Sequence, residues 1–268
     1  MLHHLRFLPA FTACVLALGA CSDQVDIPAD VIMALETAPE TGSHVGIGIN
    51  LAFEPARALY LRLNGKDVWI DYEDRDPERY QIFGGGAHFV YLPPGDYLTE
   101  LVDETDQGLA VTPPLPLMPQ RLQDLTFYET AVGVEHIYWS EEYASLPTEK
   151  LRVITANLAD QRAPAQLKAC LGGELYAPTE CHVVKEAIAF GEQITFEVDD
   201  VENNDAAYLV WTYPDNSVLR GVVSSQGPWS DGAAQLVLTY HFRDCGPAEE
   251  GCIWGFSYTD ALVELNSH

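Results

Sequence analysis

Carboxylates are the most numerous reactive side chains of this sequence, and they come in three clusters. The first is Asp71, Glu73, Asp74, Asp76 and Glu78, and the second is Asp103, Glu104 and Asp106. The third is Asp199, Asp200, Glu202 and Asp205, interleaved with Asn203 and Asn204. Carboxylate and amide oxygens crowded on a loop suit a hard cation, since calcium takes about six to eight oxygen ligands. Asp199, Asp200, Glu202 and Asp205 are the best candidates for calcium, because they sit close together at an expected strand end. They lack the spacing and the glycine of an EF-hand loop, and a solvated loop in an acidic protein is the simpler account. A second kind of chemistry is stacking on sugar rings. Trp69, Trp139, Trp211 and Trp254 lie in or near strand-like runs, where packing explains them. Trp229 lies in the loop sequence Gly227-Pro228-Trp229-Ser230-Asp231-Gly232, where a large ring needs either a packing partner or a ligand.

Enzyme signatures are missing from the sequence. There is no G-x-S-x-G elbow, no H-E-x-x-H pair, no Walker A loop and no G-x-G-x-x-G after a strand. The histidines beyond the first twenty residues, His44, His88, His136, His182, His241 and His268, are scattered singly. Gly84-Gly85-Gly86 has neither a following Lys nor a helix start, so a bulge or strand connection explains it better than a phosphate loop. No catalytic residue is therefore assigned.

The N-terminus carries an address. Met1–Arg6 has one firm positive charge, Arg6, and residues 7–20 are uncharged and apolar. That run is too short for a membrane span of about 20 residues but suits the apolar core of a signal peptide. It ends in Leu18-Gly19-Ala20-Cys21, which resembles the lipobox of bacterial lipoproteins. The resemblance implies a diacylglyceryl group on the Cys21 thiol, cleavage before Cys21 and acylation of the new amine. Two or more acyl chains give lasting attachment where one does not. In that family an Asp directly after the Cys often retains the protein in the inner membrane. Here Ser22 follows and Asp23 comes one place later, so the expected site is the outer membrane of a bacterial envelope.

Composition narrows the partners. The 268 residues hold 40 Asp+Glu against 14 Lys+Arg, a formal charge of −26. Such a field repels nucleic acid and anionic lipid surfaces. Of the 6 cysteines, Cys14 lies in the leader and Cys21 takes the lipid. Cys170, Cys181, Cys245 and Cys252 remain, and an even count in an exported chain reads as two disulfides. Three connectivities are open; Cys170–Cys181 with Cys245–Cys252 is favoured, since each pair flanks a short turn-rich stretch. A four-Cys zinc site is the rival, without the usual C-x₂-C knuckles.

The elements expected to position these residues are strands almost throughout. Leu59, Leu61 and Leu63 alternate, Asn64-Gly65 marks a hairpin turn, and Val68, Ile70 and Tyr72 alternate on the return. Further runs are Phe89–Leu92, Tyr97–Val102, Leu122–Phe127, Leu151–Thr155, Ile194–Val198, Tyr208–Tyr213, Val218–Val223, Leu236–Tyr240 and Ile253–Tyr258. No helical stripe is found, so the class is all-β. An internal repeat is present in outline. Asn50-Leu51-Ala52 matches Asn157-Leu158-Ala159, and Phe83-Gly84 matches Phe190-Gly191. The expectation is two tandem antiparallel β-sandwich (Ig-like) domains, at 44–130 and 131–268. They follow a signal peptide at 1–20 and a lipidated tether at 21–43, where residues 31–35 could add an edge strand or a helical turn. Both disulfides fall in the second domain.

The first half also resembles exported bacterial β-sandwich repeats of unknown function with an Ig-like or transthyretin-like topology. The resemblance rests on the hairpin Tyr60-Leu61-Arg62-Leu63-Asn64-Gly65 and the corner Leu92-Pro93-Pro94-Gly95-Asp96-Tyr97. It covers about residues 44–128, and the second half lacks the Pro-Gly corner. It implies no catalytic residues. The expected function is a non-catalytic envelope lipoprotein, acting as a structural or protein-interaction module. A glycan- or calcium-binding surface module is the alternative. The membrane, through the lipid, and an envelope protein or glycan are the expected partners, with no cofactor beyond the calcium considered above.

Overall fold

A computed structural model describes residues 27–37, 43–53, 55–83, 87–142, 151–158, 164–174, 177–198, 207–216, 218–224, 235–242 and 252–257. The described residues contain strands and turns and no helix.

Among the described residues, the first half of the chain builds thirteen strands. They are β1 (Ile32–Leu35), β2 (Val45–Leu51), β3 (Leu59–Leu63), β4 (Lys66–Asp71), β5 (Glu78–Arg79), β6 (Gln81–Ile82) and β7 (Ala87–Leu92). Then come β8 (Gly95–Tyr97), β9 (Thr99–Asp103), β10 (Gly108–Val111), β11 (Leu115–Leu117), β12 (Arg121–Thr130) and β13 (Gly133–Glu142). One hydrogen-bonded path runs β10-β9-β3-β4-β1-β7-β2-β12-β13, with β5 beside β4 and β6 beside β3. Its two ends, β10 and β13, approach each other, so the sheet nearly closes on itself. The apolar filling includes Ile47, Ile49, Leu61, Val68, Leu101, Leu125 and Phe127. β8 and β11 form a separate ribbon whose Tyr97, Leu115 and Leu117 join the same core.

The described residues of the second half build ten more strands. They are β14 (Leu151–Asn157), β15 (Ala165–Leu171), β16 (Gly173–Glu174), β17 (Ala177–Pro178) and β18 (Cys181–Ile188). They continue with β19 (Gln193–Val198), β20 (Ala207–Thr212), β21 (Val218–Ser224), β22 (Gln235–Phe242) and β23 (Cys252–Ser257). Two four-stranded sheets, β19-β14-β22-β23 and β18-β15-β20-β21, carry the frame. Val153 and Val198 from one sheet meet Leu167, Ala169, Leu209 and Trp211 from the other in a single apolar cluster. That is the construction of a β-sandwich.

The pairing is mixed rather than purely antiparallel. β1 runs parallel to β4, β2 to β12, and β14 to β22. A parallel neighbour needs a long crossover, which here is the chain from β1 to β4, from β2 to β12 and from β14 to β22. The internal repeat has a counterpart at the level of strands. β2 lies between β7, antiparallel, and β12, parallel; β14 lies between β19, antiparallel, and β22, parallel. It does not extend to the side chains of the matched asparagines. Asn50 lies on the face opposite Ile47, Ile49 and Leu51, whereas Asn157 shares the core face with Val153. A shift of one residue in a strand moves a side chain to the other face.

Local signals account for several elements. Asn64 and Gly65 both have positive φ, 52° and 75°, as the tight β3–β4 hairpin requires. Residues 32–35 do form a strand, but β1 lies between β4 and β7 rather than at an edge. β13, which a boundary at 130/131 would give to the second domain, pairs with β12 along its full length. β2 is buried at every position, although its sequence alternates: Val45, Ile47, Ile49 and Leu51 face the core, and Gly46, Gly48 and Asn50 take the other face.

Candidate functional site

Three carboxylates of the two first-half acidic clusters, Glu78, Asp103 and Asp106, are held by arginines, as is Asp67 beside them. Arg62 Nε donates to Asp67 Oδ1 at 2.7 Å, and its Nη2 lies 2.8 Å from Asp106 Oδ1. Arg79 Nη2 reaches the same two oxygens at 3.0 and 2.9 Å. The Arg79 guanidinium also lies 4.3 Å over the Tyr60 ring, and that of Arg75 lies 3.6 Å over Tyr72. Arg75 pairs with Glu78 at 3.2 Å, and Glu73 accepts from Thr37 Oγ1 at 2.9 Å. Isolated exposed ion pairs contribute little, but a network anchoring hairpin ends contributes more. These carboxylates therefore fasten β3, β4, β5 and the β9–β10 turn to one another.

Asp103 organises that turn. Its Oδ1 accepts from Thr105 Oγ1 at 2.7 Å, Thr105 N at 2.8 Å and Gln107 N at 3.0 Å, while Oδ2 faces Arg57 at 3.4 Å. The Thr105 hydroxyl above all, with those backbone donors, holds its carboxyl below the ordinary carboxylate range. No group of three or more His, Cys, Asp or Glu among the described residues is arranged to hold a metal ion.

The Asn-Gly turn and the Pro-Gly corner, far apart in sequence, are bonded together. Asn64 N donates to Leu98 O at 2.8 Å, Leu98 N donates to Asn64 Oδ1 at 2.9 Å, and Asn64 Nδ2 donates to Asp96 O at 3.3 Å. Tyr97 completes the corner by donating its hydroxyl to Pro93 O at 2.9 Å. Both motifs behind the resemblance are thus parts of one structural joint.

A buried polar cluster escaped the sequence reading. Asn50 Nδ2 donates to Asp124 Oδ2 at 2.5 Å, and Thr126 Oγ1 donates to Asp124 Oδ1 at 2.8 Å. Asn50 is 3 % exposed, and Asp124 and Thr126 are fully buried. Alternation along β12 was the available signal, since Leu125 and Phe127 face the core and put Asp124 and Thr126 on the opposite face. What closes that face is long-range, so the sequence could not announce its burial.

Histidines give no catalytic grouping among the described side chains. Ser43 Oγ and His44 Nδ1 are 2.9 Å apart, a contact between chain neighbours just before β2. Acyl transfer needs in addition an orienting acid and donors around an oxyanion, which such a contact does not itself supply. Burial lowers the pKa of His44 and His136, in His136 against the opposing pull of Glu135. Trp211 is a fully buried core residue, and Trp69 and Trp139 are half-buried.

The disulfide Cys170–Cys181 is formed, joining directly opposed positions of β15 and β18. Closing a loop of that size stabilises by roughly 2–3 kcal/mol through the unfolded chain. Cys21, Asp199, Asp200, Glu202, Asp205, Trp229 and Cys245 lie outside the described residues, as does the side chain of Cys252.

No family model and no curated protein matches the chain. Among solved structures, one described as a "putative cell adhesion protein" from Bacteroides uniformis is similar at 8 % identity and a TM-score of 0.27, covering 80 % of this chain and 98 % of its own. A DUF3823 family protein from Bacteroides ovatus is similar at 10 % identity and a TM-score of 0.19, covering 71 % and 94 %. Likenesses this slight do not carry a function across, and the residues of this chain have to speak for themselves.

Proposed function

We propose that the chain is a non-catalytic, lipid-anchored module of a bacterial cell envelope, built as two tandem β-sandwich-like domains that act in structure or protein interaction. The observation that supports this most directly is the use of its polar side chains. In the first half, Asp67, Asp103 and Asp106 are spent on Arg57, Arg62, Arg79 and Thr105, which hold turns in place. Such groups serve rigidity rather than turnover. Lipidation of Cys21 would fix the chain to the outer membrane, with residues 22–31 as tether, because β1 belongs to the sheet. The domain boundary falls between β13 and β14. The large negative charge keeps the surface soluble and free of nucleic acid.

The test is a thermal melt of the chain from Ser22 onward, first with calcium and then with EDTA. A passive module keeps its midpoint. A cation site would gain about 2.7 kcal/mol at a hundred times its Kd. A shift of several degrees, abolished by Asp199→Ala with Asp200→Ala, would refute the purely structural reading and make the module a calcium binder.

A further inference from the structure

Among the described residues, the halves of the chain meet at opposite ends of the same strands. At one end Glu141 of β13 pairs with Arg152 of β14, which also pairs with Glu197 of β19 at 2.9 Å. At the other end the rings of Tyr128 and Phe190 meet edge to face, with centroids 5.7 Å apart. There Gly191 sits so close to Tyr128 that a Cβ would come within 3.0 Å of the phenol oxygen. Gly191 N in turn donates to Asn157 O at 2.8 Å, which ties this contact to the end of β14.

The spacing of the two contacts matches on both sides. Glu141 lies opposite Leu122, and Leu122 to Tyr128 is six residues along β12, about 20 Å. Arg152 to Asn157 is five residues along β14, about 17 Å. The strands therefore run side by side in the same direction, as in aligned sheet packing. Between the contacts, Asp124 and Thr126 on one strand are fully buried although they face away from their own core. Ile154 and Ala156, on the face of β14 opposite Val153, are fully buried as well. Two outward faces, both closed, between two shared anchors, are the marks of one interface. The phenol of Tyr128 agrees with this setting. Burial and the Glu135 carboxylate, which accepts its proton at 3.1 Å, push its pKa up to about 12.

We infer that the outer face of β12–β13 packs on the outer face of β14, locking both halves into one rigid body and sealing the Asn50–Asp124–Thr126 cluster inside. The module then holds whatever its far half presents at a fixed distance and orientation from the lipid anchor. Its two halves also open together rather than in turn.

Hydrogen exchange of the full chain in detergent micelles tests this, read by mass spectrometry over residues 122–130 and 151–157. Phe190→Ala should speed exchange in 122–130, across the chain from the substitution. The expected size is on the order of three- to ten-fold, what an edge-to-face aromatic pair contributes. Val132→Ala, at the 90 % exposed hairpin tip, should leave both segments unchanged. An effect of Phe190→Ala confined to the second half overturns the inference, and so does an equal effect from Val132→Ala. Should Phe190→Ala not fold, Glu141→Gln reads the other anchor. Faster exchange in 151–157 supports the lock, and a change limited to β12–β13 refutes it.

Discussion

Replacing Asn50 with Leu isolates the buried polar cluster, because the two side chains are close in size and little cavity is created. The substitution removes the 2.5 Å bond from Asn50 Nδ2 to Asp124 Oδ2 and a longer approach, 3.4 Å, to Thr126 Oγ1. Asp124 keeps the hydroxyl of Thr126 but loses a donor at a fully buried carboxylate. A hydrogen bond of this kind contributes about 1.5–3 kcal/mol when the acceptor is ionised, and the loss falls on a side chain shielded from water. A loss of about 2–3 kcal/mol is expected, or roughly 4–10 °C in Tm for a chain of this length. Asn50→Asp should be worse at neutral pH, since it sets one carboxylate against another. Urea unfolding followed by tryptophan fluorescence gives both values, with an unchanged m-value as the check that only stability moved. If Asn50→Leu stays within about 0.5 kcal/mol of the parent, the typical scatter of a neutral surface change, Asn50 does not hold Asp124. If Asn50→Asp proves no worse than Asn50→Leu, a second carboxyl is tolerated beside Asp124, and the reasoning fails in the same way.

Two other perturbations follow from single contacts. Asp103→Asn should destabilise at neutral pH and lose its effect in acid. The folded carboxyl titrates below its ordinary value, so its contribution is complete above the unfolded pKa and disappears as pH falls through the folded one. Melting curves of both proteins from pH 7 down to about pH 2.5 should converge at the acid end, and a constant gap would exclude Asp103 as an ionised acceptor. Gly46→Ala should cost about 1–3 kcal/mol by overpacking. Its Cβ would lie 2.4 Å from Phe89 Cζ, so the Phe89 ring must leave its edge-to-face seat on Tyr91. Chemical denaturation that finds Gly46→Ala neutral would mean the Phe89 ring yields freely.

Much of the strand inventory was legible because it is local. Leu59, Leu61 and Leu63 alternate and are buried, and Asn64-Gly65 turns where a tight hairpin needs positive φ. The Cys170–Cys181 bridge was legible too, since a short turn-rich stretch brings its ends together. β13, β15 and β18 went unread: β15 does alternate, Ala165, Leu167 and Ala169 facing the core between Gln166 and Lys168, while β13 is only partly sided and β18 mostly exposed. The acidic clusters could not be interpreted from spacing. Whether Asp106 binds a cation or an arginine depends on Arg62 and Arg79, which strand pairing brings to it from distant positions.

The sequence by itself determined the all-β class, the hairpin and corner chemistry, and one disulfide, because each depends on residues within a turn or a strand of one another. Only the tertiary structure decided that β2 and β14 take parallel partners, that arginines claim Asp67, Asp103 and Asp106, and that Asp124 lies buried beside Asn50. Those outcomes depend on which strands meet across long loops, and loop closure leaves no mark in local composition.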